Sequence, residues 1–301
     1  MKKALYTFAV ILIGVYILFS LLDRRGEYVV EQKIWRAHKK FASIAKDPKV
    51  VPDSAFDNVA AEYQSVINEY PDSPVIPNAY LLLGRVYMLK KDYGVAREKF
   101  EKVVEKYTKY LDVCAEAVSL IGNSYELEGD GQSAIVAYRR IVNNYPMTAI
   151  GMNTPLYIAS LYSRLGNAQT ASLEFAKVVT YYKEITQKNP NTLLGMNSIK
   201  LLASTYFVQK KWREGVETLG RLLHEYAKPQ FLTVSRLTII LRTINTVSVT
   251  QLKDFDLAIQ IYQTFVKNNP DNPLNGIMNN MINQLQELKK KGIVSPSETS
   301  P

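Results

Sequence analysis

The side chains that most often carry catalysis or bind metal are few in this sequence and far apart. The chain has two histidines, His38 and His224, and one cysteine, Cys114. A metal site needs several such ligands at characteristic spacings, as in His-Glu-x-x-His, and neither histidine lies in such a motif. A nucleophilic cysteine needs a histidine beside it, and the pattern favours Cys114 as a small buried hydrophobe instead. The sequence also lacks a glycine-rich phosphate loop, so we expect no enzyme activity, no metal and no cofactor.

A recurring pattern of small, aromatic and aliphatic residues organises the chain. A small residue is followed four positions later by a large, mostly aromatic one, seven later by an aliphatic one and eleven later by Tyr or Asn. Copies begin at Val59, Ala96, Ala134, Ala171, Gly215 and Ala258. They are spaced by roughly 37–44 residues, a period that predicts stacked supersecondary units. The offsets place each set on one face of a helix.

A second pattern begins sixteen residues upstream of the small residue in several copies. The best examples are Tyr80, Leu83, Gly84, Tyr87 and Val118, Ile121, Gly122, Tyr125. The small residue in the middle lets a neighbouring helix approach closely. Together the two patterns resemble the tetratricopeptide repeat (TPR), a helix–turn–helix unit, most specifically in residues 78–146. The resemblance implies an all-α TPR solenoid over 54–291, with about five to six repeats and a capping helix. A generic helical bundle is the alternative.

The N-terminus reads as a membrane segment. Residues Ala4–Leu22 carry no charge, and nineteen helical residues span about 28 Å, close to the bilayer core. We expect residues 1–25 to be an uncleaved signal anchor, which makes an N-terminal transmembrane helix part of the predicted fold. The alternative is a cleaved signal peptide, but the apolar run is long and lacks a small-x-small site. Lys2 and Lys3 favour the N-terminus inside, whereas the basic residues after the segment favour the reverse.

The remaining segments are defined by charge and composition. The net charge is +9, which suits anionic headgroups or acidic partners, although surface lysines that maintain solubility explain it equally well. A basic connector helix is expected over 26–53, and its segment 33–41 mixes basic and aromatic residues that can lie against headgroups. Residues 292–301 are typical of a disordered tail. Charge alone does not support nucleic-acid binding, because most tyrosines occupy repeat-core positions.

The resemblance also implies a partner-binding groove lined by the first helix of each unit. The residues at its groove positions include Asn78, Leu81, Arg85, Met88, Glu116, Asn123, Glu126, Asn153, Asn197, Lys200 and Phe207. The recurring amides can hydrogen-bond an extended peptide backbone, and the apolar members offer footholds. The alternative is that Asn78, Asn153 and Asn197 only cap helix starts. The set lacks the basic clamp with which chaperone-tail binders of this family hold a terminal carboxylate.

These patterns lead to one expectation about function. The segment 70–84 looks like the repeats of bacterial envelope TPR proteins, some of which act in outer-membrane assembly or beside the protein-conducting channel. We therefore expect a single-pass scaffold of the bacterial inner membrane that binds protein or peptide partners through periplasmic repeats, with no small-molecule substrate. The alternatives are a cytoplasm-facing adaptor and a non-catalytic subunit of an envelope enzyme complex.

Overall fold

Helices make up most of the part of the chain that the structure describes. The computed structural model describes residues 12–14, 26–226, 228 and 230–291. Between 26 and 291 these form thirteen α-helices and one π-helical turn, with no strand among the described residues. The helices are α1 Glu27–Ile44, α2 Asp53–Glu69, α3 Ile76–Lys90, α4 Tyr93–Lys106, α5 Leu111–Glu128, α6 Gly131–Asn144, α7 Ala149–Arg164, α8 Ala168–Lys188, α9 Leu193–Val208, α10 Trp212–Glu225, α11 Val234–Thr246, α12 Phe255–Asn268 and α13 Asn275–Lys290. The predicted all-α class is confirmed.

The contacts divide the chain into two compact units. One ends at Thr154 and the other begins at Pro155, so the boundary falls inside α7. In the first unit the helices pack as consecutive pairs, α1 with α2, α3 with α4 and α5 with α6. Very short turns join the members of the last two pairs, which places them side by side. The first helices also contact one another, α1 with α3 and α3 with α5.

Among the described residues, helical packing includes α1, which lies ahead of the solenoid start predicted at residue 54. The segment expected to be a connector buries Val30, Ala37 and Ile44 along one face of α1. These residues share a buried cluster with Val59 and Tyr63 of α2. Apolar burial of this kind stabilises the pairing of α1 with α2, so α1 is packed like the first helix of a repeat.

The second unit keeps helix pairs but interrupts them once. Helices α8, α9 and α10 pack in succession, and α12 packs on α13. Between them, α11 continues into a π-helical turn at Val247–Leu252, which contacts both α10 and α12. In this copy Arg242, Asn245, Thr246 and Val249 occupy the positions of the large and small residues of the upstream pattern. The last described helix, α13, buries Met278, Ile282 and Leu285 on one side.

The predicted membrane segment lies almost wholly outside the described residues. Of Ala4–Leu22 only Leu12–Gly14 are described, and they are helical. No helix in the described parts of the chain is long and apolar enough to cross a bilayer. The tail predicted at 292–301 also lies outside the described residues.

Candidate partner-binding surface

Close glycine–aromatic contacts set the spacing of the helices that carry the candidate surface. A Cβ atom at Gly84 would lie 2.3 Å from Cε1 of Phe100, and one at Gly122 would lie 2.5 Å from Cε1 of Tyr138. Any larger side chain in the first helix would push the aromatic ring of the second helix away. The predicted close approach at the small residue is therefore confirmed in both pairs.

The outward side chains of α3 and α5 form the candidate site, which we call the Arg85–Glu116 surface. It comprises Asn78 and Arg85 on α3 and Glu116 and Asn123 on α5, and beside them Met88 of α3 is half-buried against the cluster of Phe100 and Cys114. Nη2 of Arg85 donates to Oε1 of Glu116 over 2.7 Å, and the two side chains are 42% and 40% exposed. Two side chains predicted separately for one groove thus bridge two successive first helices, and their charges cancel.

Two further residues predicted for this groove have other tasks. Leu81 is only 3% exposed and belongs to the buried cluster of Phe100 and Cys114. Its prediction as a foothold for a partner is wrong, because its side chain fills the core beneath the surface. The carboxylate of Glu126 is half-buried and accepts a hydrogen bond of 2.7 Å from the Tyr138 hydroxyl. It ties α5 to α6 and is less accessible to a partner.

The amides are not helix caps. Asn78 is exposed within α3, which has no side-chain cap. Asn197 is exposed within α9, whose cap is Thr192. Asn153 instead donates to the carbonyl of Ala149 in its own helix. The capping alternative is therefore wrong, and the exposed amide of Asn123 in the middle of α5 has no capping role either.

In the second unit the predicted residues form a sparser surface. Lys200 is exposed on α9, one turn after Asn197. Phe207 is half-buried, with its ring 6.3 Å from that of Trp212. A Cβ atom at Gly215 would lie 2.2 Å from Cε1 of Phe207, so this ring fills the gap between α9 and α10. Packing within the repeat therefore holds the aromatic ring that was expected to be a foothold.

Helix α1 extends the row of first helices in a way that the sequence reasoning missed. It contacts α3. When Ala37 of α1 is aligned with Gly84 of α3, Glu31 and His38 take the positions of Asn78 and Arg85. Both are exposed, and the His38 ring lies 5.9 Å from that of Phe41. The available signal was the heptad spacing of Val30, Ala37 and Ile44, the apolar seam of a helix.

Other titratable groups near this surface have partners within the protein. On α5, Glu128 pairs with Arg97 just as Glu116 pairs with Arg85. The Cys114 thiol donates to the carbonyl of Tyr107 over 3.3 Å, and burial raises its pKa, which disfavours the nucleophilic thiolate. Among the described residues, no three His, Cys, Asp or Glu side chains are placed to hold a metal ion.

The comparisons with known proteins agree with this geometry. Residues 78–109 and 116–146 match the family model of the tetratricopeptide repeat, and they overlap the pairs α3–α4 and α5–α6. Comparison with curated proteins finds no matching sequence. The two matched segments, with their glycine–aromatic contacts, are tetratricopeptide-type helix pairs within an all-helical chain. Repeats of this kind are scaffolds that bind protein or peptide partners.

Comparison with solved structures finds several matches at low identity and low TM-score. The TPR2AB domain of yeast Sti1, in complex with pHSP90, is 12% identical, with a TM-score of 0.35 over 87% of this chain and 100% of that chain. A tetratricopeptide repeat protein from Parabacteroides merdae is 10% identical, with a TM-score of 0.36 over 85% of this chain and 98% of that chain. BtubC (BKLC) from P. vanneervenii is 11% identical, with a TM-score of 0.41 over 82% of this chain and 94% of that chain.

Proposed function

We propose that this chain is a membrane-anchored tetratricopeptide scaffold of the bacterial cell envelope, which holds an extended segment of a partner protein on the Arg85–Glu116 surface. The observation that carries the proposal is the exposed amide of Asn123 on the same surface as the Arg85–Glu116 pair. A primary amide donates and accepts hydrogen bonds, as a peptide backbone requires. The surface therefore suits a backbone more than one particular side-chain sequence.

The spacing of the polar groups supports an extended ligand. Asn78 and Arg85 on α3 are two helical turns apart, as are Glu116 and Asn123 on α5. Two turns rise by about 10.5 Å, close to three residues of extended chain at about 3.3 Å each. Polar groups along either helix can thus meet every third residue of an extended peptide.

The ion pair changes the expected partner chemistry. Since Arg85 is already paired with Glu116 at 2.7 Å, it offers no uncompensated charge to an acidic partner or to a terminal carboxylate. We therefore expect little salt dependence of binding at this surface, in contrast to what an isolated Arg85 would give. An uncharged or mixed segment is the ligand that fits best.

Crosslinking in native membranes tests the surface. A photo-crosslinking residue at position 123 should capture a partner, whereas one at Val136, which is exposed on the second helix α6, should not. With the captured partner, Asn123→Ala should weaken binding several-fold, since a lost hydrogen bond costs on the order of 1 kcal/mol. Asn143→Ala, another exposed amide on α6, is the matched control. Equal capture at both positions, or equal affinity of both variants, would remove the site from this surface.

The anchor and its direction are tested separately. A reporter active only in the periplasm, fused after residue 291, should be active if the repeats are periplasmic. The chain should also stay in the membrane fraction at high salt, because inserted apolar residues are insensitive to screening. An active cytoplasmic reporter would favour the adaptor alternative, and a mature N-terminus near residue 23 would reveal cleavage. The partner captured at position 123 then decides between export, envelope assembly and an enzyme complex.

A further inference from the structure

Among the described residues, one face of α1 lacks the neighbour that the same face of α3 and α5 has. In α3, Ala79, Leu83 and Val86 are buried against the preceding pair, in one cluster with residues of α1 and α2. The corresponding face of α5, with Ala117 and Ile121, is buried in the same way against α3 and α4. This face is therefore the stacking face of a first helix.

In α1 the stacking face is exposed and basic. Aligning Ala37 with Gly84 places Gln32, Trp35, Arg36 and Lys39 at the positions of Ala79, Leu82, Leu83 and Val86. We call these four residues the end face. All four are exposed, and Trp35 is 60% exposed. The end of a helical-repeat array needs a polar outer face for solubility, but an exposed indole works against that purpose.

The charges of the end face are not all compensated. Lys33 and Lys40 of α1 pair with Glu69 and Glu62 of α2. Arg36 and Lys39 have no carboxylate partner among the described residues. The Lys39 ammonium instead lies 5.4 Å from the centroid of the Trp35 ring. Beside them is a cleft of about 770 Å³ between α1 and α2, also lined by Ser65.

We propose that the end face docks on a membrane surface of anionic phospholipid. Arg36 and Lys39 would pair with headgroup phosphates, and Trp35 would sit at the interface, where indole rings are favoured. Each cation near such a surface strengthens binding by about fivefold. Charge complementarity selects this occupant over a second copy of the chain, whose end face carries the same positive charge.

The position of α1 along the chain supports the same occupant and rests on the proposed anchor. Glu27, the first residue of α1, follows Leu22 by five residues. That length of chain reaches at most about 17 Å, so an inserted segment would hold α1 close to the headgroups. The end face would then meet the bilayer at high local concentration.

The test uses the full chain in vesicles of phosphatidylcholine alone or with about 30% phosphatidylglycerol, an anionic fraction large enough to give a negative surface potential. Trp35 emission should move to shorter wavelength and be quenched by brominated lipid only in the anionic vesicles, and salt should reverse both changes. Trp35→Phe should remove the quenched component. Arg36→Gln/Lys39→Gln should lower the docking equilibrium constant about 30-fold.

A matched control removes equal charge elsewhere. Lys106 and Lys109 are exposed at the end of α4 and beyond, and Lys109 lies 5.0 Å over the Tyr110 ring as Lys39 lies over Trp35. Lys106→Gln/Lys109→Gln should leave Trp35 docking unchanged. Equal loss in both double variants would mean that only net charge matters and would overturn the proposal.

Flotation separates this proposal from the anchor. A chain that floats with neutral vesicles at high salt is anchored, whatever its end face does. If that chain shows the same Trp35 emission in neutral and anionic vesicles, the end face is only a polar cap and the proposal fails. If the chain floats only with anionic vesicles at low salt, the anchor fails but the end face binds. Crosslinking of position 35 to an acidic protein, with no response to phosphatidylglycerol, would also overturn lipid docking.

Discussion

Replacing Gly84 with alanine tests the contact that fixes the distance between α3 and α4. The added Cβ atom would lie 2.3, 2.7 and 2.8 Å from Cε1, Cζ and Cδ1 of Phe100. Carbon atoms in proteins prefer separations of about 3.5–4.0 Å. The ring of Phe100 is fully buried, so it can move only by displacing its own neighbours.

The expected cost follows from two opposing terms. Overpacking of a well-packed core costs about 1–3 kcal/mol. Alanine in a helix interior is favoured over glycine by about 0.8–1.0 kcal/mol. Gly84→Ala should therefore lower the free energy of unfolding by about 1 kcal/mol, with up to about 2 kcal/mol if Phe100 cannot relax.

A second glycine in the same unit supplies the control. Gly94 lies in the first turn of α4, and a Cβ atom there would meet nothing within 4 Å. Gly94→Ala should be neutral or stabilising by up to about 1 kcal/mol, because only the unfolded chain loses freedom. Urea denaturation followed by circular dichroism measures both variants. If Gly84→Ala stabilises as much as Gly94→Ala, α3 and α4 are not in the close contact described.

A double-mutant cycle then assigns the cost to the ring. Phe100→Ala alone should cost about 3–5 kcal/mol through the cavity it leaves. The double variant Gly84→Ala/Phe100→Ala should lose less free energy of unfolding than the two single variants together, since the alanine methyl at position 84 no longer meets a ring. A coupling energy of at least about 0.5 kcal/mol is expected for residues in contact. Strict additivity would show that Gly84 acts through another neighbour.

Two more predictions use the second unit. Gly215→Ala should cost less than Gly84→Ala in the same denaturation assay, because the ring of Phe207 is half-buried and has solvent on one side, whereas that of Phe100 is enclosed; an equal or greater cost would mean that Phe207 yields no more easily than Phe100. Burial lowers the pKa of His224. Below the ordinary value of about 6.5 the unfolded chain therefore takes up a proton that the folded chain does not, and the free energy of unfolding should decrease as the pH is lowered. Denaturation at about pH 7.5 and about pH 5.5 measures this loss of stability. The loss should disappear in His224→Gln and remain in His38→Gln, which replaces an exposed histidine. If it disappears in His38→Gln instead, His224 is not its source.

The sequence predicted the helix pairs well where their signature is local. Gly84 and Gly122 each precede the aromatic residue they contact by 16 residues, so the spacing alone reports the contact. In the first pair, Ala37 and Tyr63 share a cluster across a longer connection between α1 and α2. The longer connection between α1 and α2 removes the 16-residue spacing seen in the other pairs. Without that spacing, the basic residues of α1 indicated a connector.

The direction of a small-residue contact was not predictable from the pattern. In the pairs α3–α4 and α5–α6 the glycine is on the first helix and the ring on the second. In α9–α10 the roles are reversed, with Phe207 on the first helix and Gly215 on the second. A repeat pattern states that a small residue faces a large one, but the neighbouring side chains decide which helix supplies each.

The ion pairs show what the repeat period could still have revealed. Arg85 lies 31 residues before Glu116, and Arg97 lies 31 residues before Glu128. Both separations place the partners in successive repeats, so opposite charges nearly one period apart are candidates for pairing. Exposed ion pairs contribute at most about 1 kcal/mol each to folding stability. Their larger effect is that they neutralise charge on the surface where they lie. Each arginine is paired before any partner binds, so the first-helix surface in this unit presents amides and balanced charge. Such a surface favours a peptide backbone as ligand. The uncompensated positive charge of α1 lies instead on the end face.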